Sequence, residues 1–271
     1  MGSDYYAIKA LSHSMLSCLA QNPMECKMRY VDDPPSLPRK DSAAFAMGHA
    51  VHCLALEPDE FEERFAVAPK VDRRTTAGKV AWAEYLADCE GKTVLDEQDH
   101  ADAVACVQAL NNHPEFAAIM AQPRRVEVPF EFELFGHRFK AKPDAIIDSM
   151  KLILDIKTTD DASPHRWQWS AVDYGYHRQQ IIYQEALRQA TGKKYRFYFA
   201  VVEKPKPSTR GIPPTVALYE LKEESVLMGV EDTQDLAWQY EQRLKENDWQ
   251  QPYSSGIVPL RLPRRRVYEG E

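Results

Sequence analysis

Apolar and polar residues follow two different periods along this chain. Before about residue 125 the apolar positions recur with helical spacing, whereas VEVPFEFELFGHRF, from Val126 onward, alternates apolar and polar residues as a half-buried strand does. The helices predicted in the first part run from Ser12 or Ser14 to Gln21, from Asp41 or Ser42 to Pro58, and over 77–89, 97–110 and 114–121. The second part predicts strands at 126–134, 139–148 and 152–157, a helix over 173–190, strands at 195–202 and 215–221, and a helix over 223–247.

This order of elements predicts an α/β (α+β) fold, in which a central mixed β-sheet is flanked by helices and preceded by a helical N-terminal region. The linkers between the predicted elements are short. We therefore expect a single domain over 1–271, with a mainly helical part at 1–125, a sheet and its helix at 126–221, and a C-terminal helix with a basic tail at 222–271.

Composition narrows the class of protein and its compartment. The 271 residues are 44% apolar and carry a formal net charge of −7, which is ordinary for a globular protein. No run approaches a membrane span, and the opening MGSDYYAIKA lacks the pattern of a secretory signal. The five cysteines are an odd number without a CxxC pair, which favours free thiols in a reducing compartment. We expect a cytoplasmic protein of a bacterial cell that does not contact membranes.

One short region, KPDAIIDSMKLILDIKTT, concentrates the candidate chemistry. If the apolar runs AII and LIL form a hairpin with the loop Ser149–Met150, Asp144 lies directly opposite Asp155. Opposed side chains on one sheet face are about 5 Å apart, and like charges there are destabilising. Lys157 returns to the same face two residues after Asp155. The spacing therefore predicts two carboxylates and an ammonium group close together.

Two explanations of this cluster are open from spacing alone. Carboxylate oxygens are hard ligands, so the pair could hold Mg²⁺ or Mn²⁺, and Glu127 on the preceding strand could add a third carboxylate. In the other explanation, Lys157 simply neutralises Asp155 at a sheet edge and no metal is involved.

In each of two further pairs, the two residues lie on the same face of a predicted helix. Gly48 and His52 are one turn apart in GHAVHCLALEP, where the glycine would allow close packing and the imidazole could point at the acidic cluster. Gln179 and Tyr183 are spaced in the same way in QQIIY. Judged alone, His52 could equally be a histidine of the protein core, and Gln179 with Tyr183 could be part of an ordinary amphipathic helix face.

Taken together, these motifs resemble the PD-(D/E)xK nuclease superfamily. Pro143-Asp144, ten intervening residues and Asp155-Ile156-Lys157 match its signature, while GxxxH and Gln-x-x-x-Tyr are similar to motifs of the RecB-like branch. Within that branch the chain resembles the RecE type, exodeoxyribonuclease VIII, and more distantly the phage lambda exonuclease. The likeness covers roughly residues 10 to 200, with several motifs in the expected order.

The resemblance implies a site and roles for its residues. It implies Mg²⁺, replaceable by Mn²⁺, with two ions per site expected and ligands from the side chains or main chain of Asp144, Asp155, Ile156, His52 and Glu127. Lys157 would act as a base or as a charged stabiliser of the transition state, between which the sequence does not choose. Gln179 and Tyr183 would orient the lysine, the water or the phosphate.

The resemblance also implies an activity and partners. It implies processive 5′ to 3′ degradation of linear double-stranded DNA to 5′-mononucleotides, which leaves a 3′ single strand for an annealing protein in phage-type homologous recombination and repair. It implies a homotrimeric ring around DNA, whose basic lining could coexist with an acidic exterior. The residues expected to contact DNA are Arg73, Arg74, Lys79 and Arg178, with the run Arg264–Arg266 as a weaker candidate.

Two other functions remain possible at this stage. An endonuclease of the same fold, such as a restriction or junction-resolving enzyme, would use the same acids, and only the GxxxH and Gln-x-x-x-Tyr motifs speak against it. A catalytically inactive fold kept as a DNA-binding module is disfavoured, because Asp144, Asp155 and Lys157 are all retained.

Overall fold

A computed structural model describes residues 5–38, 43–208, 210–251, 253 and 256–259. Its helices are α1 (His13–Gln21), α2 (Pro23–Cys26), α3 (Ala43–Leu56), α4 (Phe61–Arg64), α5 (Thr76–Asp88), α6 (Glu97–Asn112), α7 (Pro114–Met120), α8 (Pro164–Asp173), α9 (Tyr176–Thr191) and α10 (Glu223–Glu246). Ser12 caps α1 as predicted, because its hydroxyl accepts a hydrogen bond from the Met15 amide. The predicted start of α3 at Asp41 or Ser42 and the run Arg264–Arg266 lie outside the described residues.

The strands are β1 (Phe65–Val67), β2 (Thr93–Leu95), β3 (Arg125–Val126), β4 (Phe130–Leu134), β5 (His137–Ala141), β6 (Ala145–Ile147), β7 (Leu152–Thr159), β8 (Arg196–Glu203) and β9 (Val216–Tyr219). Five of them form the central sheet in the order β3-β6-β7-β8-β9, where β7 and β8 are parallel and the other pairs are antiparallel. The strands β4 and β5 form a separate hairpin, and β1 pairs with β2. The predicted mixed sheet flanked by helices is therefore confirmed.

Two of the predicted strands are wrong in their extent. The alternating stretch 126–134 is divided between β3, which joins the central sheet, and β4, which leaves it. Glu127 at the break has a φ of 53°, which turns the chain away from the strand direction, and Pro129 lacks the amide hydrogen that a ladder needs. The stretch 139–148 is likewise divided into β5 and β6 on either side of Pro143. Alternation predicted the strands but not these breaks.

The predicted helix over 173–190 is α9, which begins three residues later and is preceded by the unpredicted helix α8. The chain turns between α8 and α9 at Gly175, whose φ of 71° lies in the left-handed region that glycine adopts without strain. The end of α9 at Gly192 agrees with the prediction. Neither α8 nor the small β1–β2 sheet was predicted.

The two faces of the central sheet pack against different helices. Alternate residues of β7, namely Leu152, Leu154 and Ile156, belong to a core formed with α3, α6 and α7. Ile153 faces the opposite side and packs with residues of α8, α9 and β8. Because side chains alternate along a strand, Asp155 and Lys157 share the face of Ile153 and point toward α9.

A third apolar cluster fixes the helix α9 to the rest of the molecule. It contains apolar residues of α1, α9 and α10 together with the β4–β5 hairpin, among them Leu16, Phe139, Ile182 and Leu236. All five cysteines are free and four of them are buried, in agreement with the prediction of reduced thiols. No helix in the described ranges has the length and apolar character needed to cross a membrane.

Candidate active site

The antiparallel pair β6–β7 places the two predicted aspartates opposite each other. Ala145 pairs with Leu154, so the next step of the ladder brings Asp144 against Asp155. The Lys151 amide donates to the Asp148 carbonyl at 3.3 Å, which closes the predicted loop Ser149–Met150. The register expected from the sequence is therefore present.

Asp144 is buried and held by the neighbouring strand. Its Oδ2 accepts a hydrogen bond from the Ile156 amide at 2.8 Å. Burial raises the pKa of Asp144 to about 6, against the lowering effect of the nearby Lys157 charge. The carboxylate is therefore a costly charge in this position, which a cation would relieve.

Asp155 is fully buried and is contacted at both oxygens. Gln179 Nε2 donates to its Oδ1 at 2.7 Å, and Lys157 Nζ forms an ion pair with its Oδ2. Burial and then the charge of Asp144 raise the pKa of Asp155 to about 6. Burial alone would lower the pKa of Lys157, but the charges of Asp155 and Asp144 outweigh it and raise that pKa. Lys157 is therefore a cation in this arrangement.

Glu127 lies at the point where β3 ends, in a strained backbone conformation. A φ of 53° is unfavourable for a residue with a side chain. Its amide donates to the Asp144 carbonyl at 3.2 Å, and its carboxylate forms an ion pair with Lys142. The sequence did not indicate Lys142 as a site residue, although it directly precedes the Pro-Asp step. The turn of the backbone at Glu127 brings its carboxylate to the same place as Asp144.

His52 reaches the site from α3, across the end of β7. Its Nε2 donates to the Ile156 carbonyl at 2.7 Å, and its Nδ1 lies 3.3 Å from Asp144 Oδ2. Burial and then the charge of Lys157 lower the pKa of His52, so the imidazole is neutral. Gly48, one turn earlier, approaches Thr158, but a Cβ there would lie 3.6 Å from its Oγ1. The position requires a small residue and not glycine specifically.

Among the described residues, His52, Glu127 and Asp144 form a group whose ligand atoms lie within 4.8 Å of one another. A neutral His52 that donates from Nε2 directs the lone pair of Nδ1 at a carboxylate oxygen. Two acceptors that face each other repel, and a cation between them removes the repulsion. Oxygen ligands with one imidazole suit Mg²⁺ or Mn²⁺, so the donor set fits a hard divalent ion.

Two of the predicted metal ligands have other contacts in the structure. Asp155 lies outside this group of three, since its oxygens meet Gln179 and Lys157. The carbonyl of Ile156 accepts the hydrogen bond from His52. Both residues nevertheless border the group, because Ile156 donates to Asp144 and the Asp144 charge acts on Asp155.

The helix α9 contributes Gln179 and Tyr183, as their spacing predicted. Gln179 bonds to Asp155 directly. Burial raises the pKa of Tyr183 well above its ordinary value, and the charges of Asp155 and Asp144 raise it further. The tyrosine therefore stays protonated and can donate a hydrogen bond near the carboxylates.

The residues predicted to contact DNA are not gathered at the site. Arg73 stacks on the Trp82 ring at 3.5 Å, and Arg74 pairs with Asp72, both beside the N-terminus of α5. Lys79 is exposed on α5 itself. Their role stays a prediction, since the described contacts do not join them to the carboxylates.

Arg178 requires a correction. It is only 6% exposed, and its Nη1 donates to Asp232 of α10 at 3.3 Å. Its guanidinium also lies over Gly175, where an added Cβ would clash with Nη2. Arg178 thus connects α9 to α10 and to the turn before α9, so that a direct contact with a DNA phosphate is not supported.

The sequence did not indicate two neighbours of Lys157, the aromatic ring of Tyr176 and the imidazole of His13. The Tyr176 ring lies 4.9 Å from Lys157 Nζ. His13 of α1 bonds through Nε2 to the Tyr174 carbonyl at 3.0 Å. Burial and then the charge of Lys157 lower the pKa of His13 to about 3. Nothing in the local pattern of either residue indicated this placement.

Comparison with known proteins gives one family and a similar fold. The family described as "PDDEXK-like domain of unknown function" (DUF3799) matches residues 12–257. The structure of a "Putative exonuclease" from Eubacterium rectale is similar, with a TM-score of 0.64, 17% identity, and coverage of 97% of this chain and 95% of that one. A phage-related exonuclease from Haemophilus somnus 129PT has a TM-score of 0.38 and 16% identity, over 88% of this chain and 96% of that one. No curated protein matches the chain.

Proposed function

The chain belongs to the family of PDDEXK-like domains (DUF3799), and from this premise we propose that it is a Mg²⁺-dependent exodeoxyribonuclease that acts on the ends of linear double-stranded DNA. One observation carries the proposal. Asp144 and Asp155 are opposed on one sheet face, with Lys157 paired to Asp155 and a group of possible metal ligands beside Asp144. A buried pair of carboxylates is costly without a cation, and this cost is expected where a metal-dependent reaction takes place.

His52, Glu127 and Asp144 would hold a first ion, and Asp155 with the Ile156 carbonyl would complete that position or border a second one. A bound Mg²⁺ makes a water nucleophilic at neutral pH and offsets charge on the scissile phosphate. Mn²⁺ would substitute, because it accepts the same oxygen-rich ligands.

The chain's own residues would act on the phosphate and on one another. Lys157 forms an ion pair with the buried Asp155, and we assign it the stabilisation of negative charge on the phosphate. Gln179 fixes the orientation of Asp155 by its hydrogen bond to Oδ1. Tyr183, which stays protonated, would donate a hydrogen bond within the same site.

The finer activity rests on the resemblance to the RecE type. It comprises 5′ to 3′ processive digestion to 5′-mononucleotides, a homotrimeric ring, and a 3′ single strand passed to an annealing protein for homologous recombination. The name carried by the Eubacterium rectale protein of similar fold also favours an exonuclease over an endonuclease.

One digestion experiment tests the proposal. Linear duplexes labelled at the 5′ or at the 3′ terminus and a closed circular plasmid are incubated with the protein in Mg²⁺ and in a chelator. We expect nucleotides to be released from the linear DNA in Mg²⁺ alone, the 5′ label first, with the circle intact. Cutting of the circle would indicate the endonuclease, and no hydrolysis of either DNA with Mg²⁺ or Mn²⁺ would indicate the inactive binding module.

A further inference from the structure

A cleft of about 490 Å³ opens beside the catalytic residues, between the end of β7 and the helix α8. Tyr176 lines this cleft, and the same ring lies 4.9 Å from Lys157 Nζ. Thr158 and Thr159, which follow Lys157 on β7, line it as well. The cleft is therefore continuous with the proposed site, and a volume of this size accommodates a small organic ligand such as a nucleotide.

The wall of the cleft carries aromatic side chains with exposed faces. Trp169 is 60% exposed and Tyr174 is 56% exposed. The Tyr174 ring stacks on Tyr176 at 5.7 Å, and Tyr176 stacks in turn on the buried Trp167 at 5.2 Å. Trp167 also lines the cleft but is only 4% exposed, so it anchors α8, whereas the ring of Trp169 is largely open to solvent.

The charges along the cleft nearly balance. Arg166, Lys204 and Lys206 line it together with three aspartates, namely Asp160, Asp161 and Asp173. Lys204 pairs with Asp160 at 2.8 Å. Electrostatic attraction to a long polyanion is therefore modest here, and the exposed rings offer the larger part of the binding free energy. Lys206 and Arg166 also act on Asp161, whose pKa their charges help to lower, and both line the cleft as candidate contacts for one or two phosphates.

These features favour one kind of occupant. Both faces of a base inside a duplex are covered by neighbouring bases, so an aromatic side chain can stack only on an unpaired or terminal base. Stacking platforms beside cations are the usual means of holding single-stranded nucleic acid.

We propose that this cleft binds an unpaired strand of DNA next to the scissile phosphate, with bases stacked on Trp169 and Tyr174 and phosphates at Arg166 and Lys206. The inference rests on the proposed nuclease function, because it makes the substrate at the site a locally unpaired strand end.

Binding measured without metal tests the cleft separately from hydrolysis. A labelled oligo-dT is titrated with the full-length protein in a chelator and followed by fluorescence anisotropy. We expect Trp169→Ala to weaken binding by about tenfold or more, the loss of one stacked base. Trp169→Phe should retain most of the affinity. Trp238→Ala is the matched control, because Trp238 is 57% exposed but lies on α10, away from the residues that line the cleft.

The salt dependence of binding tests the phosphate contacts. Each phosphate contact with a single strand contributes a slope of about −0.7 in log K against log salt, so Arg166→Ala with Lys206→Ala should flatten the slope by about 1.4. A blunt duplex should compete with oligo-dT more weakly than an unlabelled single strand does.

Several outcomes would overturn the inference. They are equal affinity of the Trp169→Ala and Trp238→Ala proteins for oligo-dT, equal competition by blunt duplex, or no affinity for single strands at all, which would favour a polypeptide in the cleft. If single-strand binding depends on Trp169 but the protein hydrolyses no DNA, the proposed binding site is supported and the proposed nuclease function is rejected. If the protein hydrolyses DNA and the Trp169→Ala variant binds and digests as the parent does, the nuclease function is supported and the proposed binding site is rejected.

Discussion

Gln179 donates a hydrogen bond from Nε2 to Oδ1 of Asp155 at 2.7 Å, and so joins the helix α9 to the middle of the central sheet. The bond leaves Oδ2 of Asp155 facing Lys157. One amide therefore fixes the orientation of the carboxylate and, through it, the position of the ammonium group.

Replacement of Gln179 by alanine should impair activity more than stability. Groups that orient catalytic or metal-binding side chains typically contribute 10–100-fold to activity or metal affinity, and we expect a loss of about this size in the rate of nucleotide release. The control is Gln180→Ala, because Gln180 is also buried but bonds to Gln184, away from the carboxylates. If both variants lose activity and unfold in urea to the same extent, Gln179 is a packing residue only.

We expect the backbone at Glu127 to lower the stability of the fold, although its carboxylate is needed for activity. Its φ of 53° costs about 1–2 kcal/mol for a residue with a Cβ and little for glycine. We expect Glu127→Gly to be more stable than Glu127→Ala by about 1 kcal/mol, as measured by urea unfolding in a chelator. Both should lose nuclease activity, since both lack the carboxylate. Equal stability of the two variants would show that the backbone there is not strained.

The hairpin register could be predicted from the sequence because it depends on neighbours in the chain. The apolar runs on β6 and β7, with a short loop between them, fix which residues are opposed, and the helical period places Gln179 and Tyr183 on one face. The family resemblance then pointed to His52. The strand and helix periods, which can be read directly from the sequence, are enough to predict the contacts within the hairpin and along the helix face.

Other features depend on tertiary contacts and carried no local signal. The break of the alternating stretch at Glu127 requires a backbone conformation that a glutamate does not favour alone. Arg178 was expected to contact DNA, yet its partner Asp232 lies on α10, 54 residues further along the chain. The cleft beside α8 arises only once the short helix packs against β7.

Lys157 should contribute both to the reaction and to the stability of the metal-free protein. Lys157→Ala removes the cation that pairs with the buried Asp155, so we expect the rate of nucleotide release to fall by about 10²–10³-fold and the melting temperature in a chelator to fall as well. Mn²⁺ should restore much of that stability, because the ligands of the metal group are unchanged.

The control for Lys157 is Lys27→Ala. Lys27 forms a partly buried ion pair with Asp32 at 2.7 Å, outside the site. That variant should digest DNA at the parental rate. Nucleotide release from linear DNA at equal rates by Lys157→Ala and the parent would show that the lysine has no part in the reaction.

Two aspartates of one hairpin should respond in opposite directions to replacement by asparagine. Burial raises the pKa of Asp144 from 3.8 to about 6. The metal-free folded state therefore loses stability as the pH rises from about 4 to about 6, and stays less stable above that range. Arg125 and Tyr195 instead lower the pKa of Asp148 by hydrogen bonds. Its ionised form stabilises the fold above pH 4, and that contribution is lost as the pH falls.

Asp144→Asn should thus raise the free energy of unfolding in a chelator at pH 7.5, by up to about 3 kcal/mol for a shift of about two pKa units, and should have little effect near pH 4. Asp148→Asn should lower the free energy of unfolding at pH 7.5, by a smaller amount, because the pair with Arg125 is half-exposed.

Mn²⁺ at a hundred times its dissociation constant should stabilise the parent by about 2.7 kcal/mol. It should stabilise Asp148→Asn equally and leave the stability of Asp144→Asn unchanged. Urea unfolding with and without Mn²⁺ at both pH values measures all of these quantities. A metal-free Asp144→Asn protein less stable than the parent at pH 7.5, or one still stabilised by Mn²⁺, would show that this carboxylate is not held at a cost for the sake of a metal ion.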